Sequence, residues 1–195
     1  MRTARGELVE AARAYRNAIA LEPRSSVLLA ELGAVLAEAG ESEEAVVAFR
    51  GALELAPGSS GLLLPLAMQL VALGRYEEAI AAFESIGAGL PEDAEIYASM
   101  ARAYAGGGRL EQALAMFSRA ESLDPYEAEI TADYAATLDL AGRREEAIDA
   151  YRRAIELEPE VGRYHHRLAV LLERAGRAEE AREHFEKAAK LEAEH

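Results

Sequence analysis

A chain of 195 residues, 51% hydrophobic and 29% charged, is long enough to bury a sizeable core. Its formal charge of −14 repels nucleic-acid phosphates and anionic headgroups, and the absence of cysteine rules out disulfides, thiolate nucleophiles and cysteine zinc sites. No apolar run approaches the ~20 residues of a membrane span, and the opening arginines lack an apolar h-region, so we expect no signal peptide, no membrane insertion and a cytoplasmic location.

Residues 1–25 read as a single helix with Leu8, Ala11, Tyr15 and Ala18 on one side, stopped by Pro23. Residues 26–59 then hold two amphipathic helices. Leu29, Leu32, Gly33 and Leu36 gather on one face of the first, and Gly40 lies where a helix needs a left-handed C-terminal residue. Acidic "ESEEA" opens the second helix near the positive end of its dipole, Ala45, Phe49 and Ala52 form its buried stripe, and Pro57 stops it. Gly33, Ala45 and Ala52 let the two helices approach closely while Phe49 fills the space they leave.

In 60–93 the same pattern is weakened. Pro65 falls inside the first helix, which should start late or bend, and Gly87 and Gly89 occupy the last turns of the second. In 94–127 the stretch "AYAGGGRLEQALAMF" invites comparison with a phosphate cradle. No strand precedes it and no Gly-Lys-Ser/Thr follows, so it is a turn. Residues 128–161 carry a cluster of Glu129, Asp133 and Asp139, with no nucleophile, metal or oxyanion donor in sequence to make it catalytic. Residues 162–195 hold all four histidines: His165, His166, His184 and His195. Adjacent residues point about 100° apart on a helix, so His165 is read as packed and His166 as facing outward, and no metal site is expected. The recurrent "EEA" pairs are structural charges at helix starts. There is no Gly-x-Ser-x-Gly elbow, and we expect neither enzymatic activity nor a cofactor.

These units share a period. Prolines stand at 23, 57, 91, 125 and 159, and glycines at 6, 40, 74, 108, 142 and 176, each 34 residues after the last. Alanines from Ala11 to Ala181 and the aromatics Tyr15, Phe49, Phe83, Phe117, Tyr151 and Phe185 keep the same step. The units resemble tetratricopeptide repeats, whose period of about 34 residues and W-x2-L-G-x2-Y…A-x3-F…P pattern they follow throughout. The large first aromatic of that pattern is replaced by Leu29, Leu63, Tyr97, Thr131 and His165, and the small residue after it is Gly33, then Ala67, Ala101, Ala135 and Ala169. The resemblance implies an all-α fold, a right-handed α-solenoid of about eleven helices. It implies one domain over 1–195: a partial repeat at 1–25, then full repeats at 26–59, 60–93, 94–127, 128–161 and 162–195.

In such a stack the first helices line the concave side. Spacing puts Ala30 and Ala34 there in the first full repeat, and Leu64, Met68 and Val71 in the second. Glu95 and Arg102 follow, then Glu129, Asp133 and Asp139, and finally Arg163, His166, Arg167 and Arg174. The face runs from apolar through acidic to basic. The Leu-Met-Val cluster is the expected anchor, unless a tight superhelix packs it against neighbouring first helices. The resemblance implies peptide binding on this face. Its two-carboxylate clamp is absent, because Ala30, Ala34, Pro65, Glu95 and Ser99 hold those places, and the inner face has no asparagine to grip a peptide backbone. Apolar burial of a partner's peptide or helix is the mode that remains. The alternatives are a self-assembling module, with a homodimer through the N-terminal partial repeat, and a recruitment domain of a larger enzyme such as a glycosyltransferase or kinase.

Overall fold

The computed structural model describes residues 2–193, with side chains from residue 6, and His195 lies outside them. Among the described residues there are eleven α-helices and no strand, as the periodicity predicts. The chain divides into two compact units, 1–90 and 91–195.

The first unit holds α1 (Arg2–Leu21), α2 (Ser26–Glu38), α3 (Ser42–Leu55), α4 (Leu63–Ala72) and α5 (Tyr76–Ile86). Ser25 starts α2 by accepting a hydrogen bond from the Leu28 amide. At its other end Gly40 has φ 79°, and the Glu41 amide donates back to the Leu36 carbonyl at 2.8 Å. That six-to-one bond satisfies a carbonyl which the helix end would otherwise orphan. At Gly33 of α2 a ring of α3 packs directly on the backbone. A Cβ built there would lie 2.8 Å from the Phe49 ring, which is itself 1% exposed. The sequence reading of Gly33 as the gap and Phe49 as its filler describes the packing.

The second pair in this unit is shorter. α4 has ten residues, preceded by a 3-10 turn at Ser60–Leu62, against thirteen in α2. Pro65 is thereby moved into the first turn of α4, where a missing N–H costs no hydrogen bond. α5 has eleven residues against fourteen in α3; Gly87, at φ 59°, closes it and opens a 3-10 turn to Gly89.

The second unit holds α6 (Ala94–Gly106), α7 (Leu110–Leu123), α8 (Ala128–Leu140), α9 (Arg144–Leu157), α10 (Gly162–Arg174) and α11 (Ala178–Ala193). Gly108, Gly142 and Gly176 repeat the turn of Gly40, with φ of 74°, 78° and 79° and the same back-bond, to Tyr104, Leu138 and Leu172. The "GGGR" stretch is therefore a helix C-terminus. Phe117 and Ile130 centre one core, and Leu138, Ile148, Leu168 and Leu172 another. On α11, Arg182 and Ala189 are exposed at the register positions where Ile148 is buried and Ile155 half-buried on α9.

Consecutive second helices are tied by arginine–glutamate pairs 28 residues apart: Arg16 with Glu44, Arg50 with Glu78, and Arg152 with Glu180. Being exposed, such pairs contribute ~0–1 kcal/mol each. The apolar stripes carry the stability.

Candidate functional site

The first helices α8 and α10 lie side by side in matching register. At one end Arg163 faces Glu129 at 3.8 Å, and at the other Arg174 bonds Asp139 at 3.0 Å. Between these two rungs the helices enclose an open cavity of about 540 Å3, within the usual range for a ligand site. Glu129, Asp133, Ala136 and Asp139 line it from α8; Arg163, Arg167, Val170 and Arg174 line it from α10. Six of the fourteen sequence-predicted residues thus converge on one space: Glu129, Asp133, Asp139, Arg163, Arg167 and Arg174.

The middle rung is not made. Asp133 and Arg167 share a register position, 34 residues apart, yet the Asp133 carboxylate bonds the Arg102 Nε of α6 at 2.6 Å. Arg102 also holds Glu95 at 2.7 Å, so these two predicted residues form an ion-pair chain beside the cavity and do not line it. Arg167 is exposed and has no hydrogen bond or ion pair among the described residues.

Behind the helices stand two tyrosines that sequence reasoning did not assign to the site. Tyr151 of α9 and Tyr164 of α10 line the cavity while being 4% and 2% exposed. Burial pushes the Tyr151 hydroxyl up to about 12, and burial raises Tyr164 as well, so both remain protonated donors near neutral pH. The Tyr164 oxygen accepts a bond from Arg163 at 3.2 Å. A signal for Tyr151 was present: it stands where Phe49, Phe83 and Phe117 stand, and a hydroxyl added to a core ring needs a polar outlet. Leu140, 67% exposed, completes an apolar rim.

The remaining predicted residues lie elsewhere. His166 is exposed with its ring against Phe185 of α11, 5.5 Å between centroids, and does not line the cavity. Its neighbour His165 is buried, as expected, with Nδ1 2.9 Å from His184 Nδ1. No group of three or more metal-ligating side chains occurs among the described residues. In the first unit Leu64, Met68 and Val71 are half-buried on α4, Ala30 is half-buried and Ala34 exposed on α2. A hollow of about 300 Å3 there takes in Val27 and Ala30, with Ser59, Gly61 and Leu62 opposite. The expected Leu-Met-Val anchor is not part of its wall. Ala98, between Glu95 and Arg102 on α6, is fully buried in the core with Phe117 and Ile130.

Tetratricopeptide repeat families match residues 32–160 and 140–194. The chain belongs to the tetratricopeptide repeat family. Solved structures agree on the fold. The structure "MamA MSR-1 C2" is 25% identical with a TM-score of 0.76, covering 87% of this chain and 97% of that one. YrrB, described as a TPR protein with an unusual peptide-binding site, is 21% identical with a TM-score of 0.73, covering 95% of each chain. No curated protein sequence matches. Within this tetratricopeptide repeat chain no helix among the described residues is long and apolar enough to cross a membrane.

Proposed function

We propose that this tetratricopeptide repeat protein is an interaction scaffold that holds a segment of a partner protein in the cavity between α8 and α10. The observation that carries the reading is the cavity itself: about 540 Å3, bounded by charged rungs at its ends and by Ala132, Ala136, Leu140, Val170 and Leu171 along its length. Apolar walls supply affinity and flanking charges supply orientation. The family's fold, shared with YrrB, is one on which a peptide-binding site is described. A binding role fits the side chains better than a catalytic one, since the three cavity carboxylates are all held by arginines and none is poised as an acid or base.

The test is a selection of random dodecapeptides on the intact protein, followed by affinity measurement on Ala136→Phe. That substitution fills the cavity without changing charge. Binding at least tenfold weaker, with an unchanged circular dichroism melt, supports the reading; unchanged affinity rejects it. Met68→Glu asks the same of the α4 face, where lost binding at unchanged stability would make Met68 a second anchor and lost stability would make it core. Self-association is the competing use, favoured by Val9 and Leu21 on α1, which are 60% and 85% exposed. Light scattering over a concentration series separates it from monomeric binding.

A further inference from the structure

Every carboxylate in the cavity wall is in contact with an arginine: Glu129 with Arg163, Asp139 with Arg174, and Asp133 with Arg102 from outside, which it shares with Glu95. Arg167 alone is left without a partner. With Glu95 included, the cavity and its Arg102 extension balance at four carboxylates and four arginines, and Arg167 is the one lining cation that none of those carboxylates touches. Two buried tyrosines add donors to it. The Tyr151 hydroxyl has no hydrogen-bond partner among the described residues although the residue is 4% exposed, and it lies close enough to Arg167 for that charge to act on it. The Tyr164 oxygen accepts from Arg163 and so keeps its own O–H to give. The Tyr151 oxygen is not among the enclosed unbonded atoms of the described residues, so it opens onto the cavity, where water or a ligand accepts from it.

We infer that the cavity recognises a carboxylate, that of an Asp or Glu side chain within the bound segment, gripped by Arg167 with the Tyr151 and Tyr164 hydroxyls as further donors. This rests on the binding role proposed above and names the chemistry of the segment. A guanidinium and hydroxyls form the charge-assisted bonds a carboxylate takes best. A phosphate dianion would bring a second charge against Glu129, Asp133 and Asp139, so a monoanion fits the balance. Position selects the source. Arg167 lies one helical turn from the Arg163 end and about two from the Arg174 end, with Val170, Leu171 and Leu140 beyond it. A segment filling the cavity passes Arg167 in mid-chain, where only a side chain can offer a carboxylate, with apolar residues beside it.

The experiment displays random dodecapeptides through their C-termini, so that side chains are the only carboxylates, and then measures the selected sequences as acetylated, amidated peptides. The expected peptides carry Asp or Glu next to apolar residues. Changing that acid to its amide lowers affinity about tenfold or more, Arg167→Gln gives a similar loss, and the two together lose no more than either alone. Arg167→Lys recovers part of the affinity, and Tyr151→Phe weakens binding severalfold. Peptides that need the open cavity, being blocked by Ala136→Phe, but are indifferent to Arg167→Gln overturn the carboxylate and leave the groove. Acid and Arg167 losses that simply multiply overturn it too. Peptides indifferent to Ala136→Phe, or a selection that yields none, overturn the groove reading and this inference with it.

Discussion

His165 and His184 illustrate how much one proton position fixes. The His165 Nε2 lies 3.0 Å from the Pro159 carbonyl, which can only accept, so that nitrogen carries the hydrogen. Its Nδ1 is then a lone pair, and His184 Nδ1, at 2.9 Å, must donate to it. Two charged rings cannot share this geometry. Burial, then the charges of His165 and Arg152, hold His184 below the usual histidine value, against the smaller opposing pull of Glu183 and Glu180. A base whose pKa is lower folded than unfolded binds fewer protons when folded. Stability is complete above the unfolded value near 6.5 and falls as pH drops from there toward the folded value. We expect the urea midpoint to be lower at pH 5.5 than at pH 7.5, and His184→Gln, which can still donate to His165, to flatten that difference. An equal slope in the variant would place the sensitivity elsewhere.

Among the helices, α4 and α5 stand out for brevity, and the cause is local. Pro65 and the Gly87–Gly89 pair cut residues from helices whose counterparts run to thirteen and fourteen. Amide exchange at 85–90 should be faster than at 151–156, where α9 is continuous and Ala154 is fully buried. Gly89→Ala should stabilise the chain by about 0.4–1 kcal/mol in urea unfolding, because its φ is not in the left-handed region and a Cβ there meets only Ile86, at 3.8 Å. Gly108→Ala, at φ 74°, should cost about 1–2 kcal/mol. The late start of α4 at Pro65, the weak end of α5 at Gly87 and Gly89 and the turn at Gly108 were legible in the sequence, since a helix stop or a turn is decided by the residue that stands there. The cavity was less so. Register brought Asp133 opposite Arg167, but register also offered Arg102, and which arginine a carboxylate chooses depends on side-chain geometry that spacing does not encode. The tyrosines were hidden for a related reason: a ring at a core position reads as core, whichever way its hydroxyl points.

For the molecule as one charged body, −14 works against the ligand proposed for it. Long-range repulsion slows the approach of an acidic segment, whereas Arg167 acts only after contact. Salt separates the two, since screening becomes strong once the Debye length falls to ~10 Å near 0.1 M. Raising salt from about 20 to 200 mM should accelerate association and also accelerate dissociation, as the net field and the local bond are weakened in turn. Rates that move in opposite directions, with association slowing, would mean that an attractive field guides the ligand.

The Arg102–Asp133 bond makes the cavity's charge conditional on a repeat that does not line it. At the register of Arg102 the next two repeats carry Ala136 and Val170, so only α6 offers an arginine there. Removing it by Arg102→Ala would free Asp133 to turn to Arg167 and close the middle rung, and the cavity would lose its one unpartnered cation with every lining residue intact. Acidic peptides should then bind as weakly as to Arg167→Gln, whereas their amide counterparts should not notice the change. A repeat array that shares side chains across its joints in this way cannot be shortened or reshuffled without rewriting what it recognises: the grammar of the site spans three repeats though its walls span two.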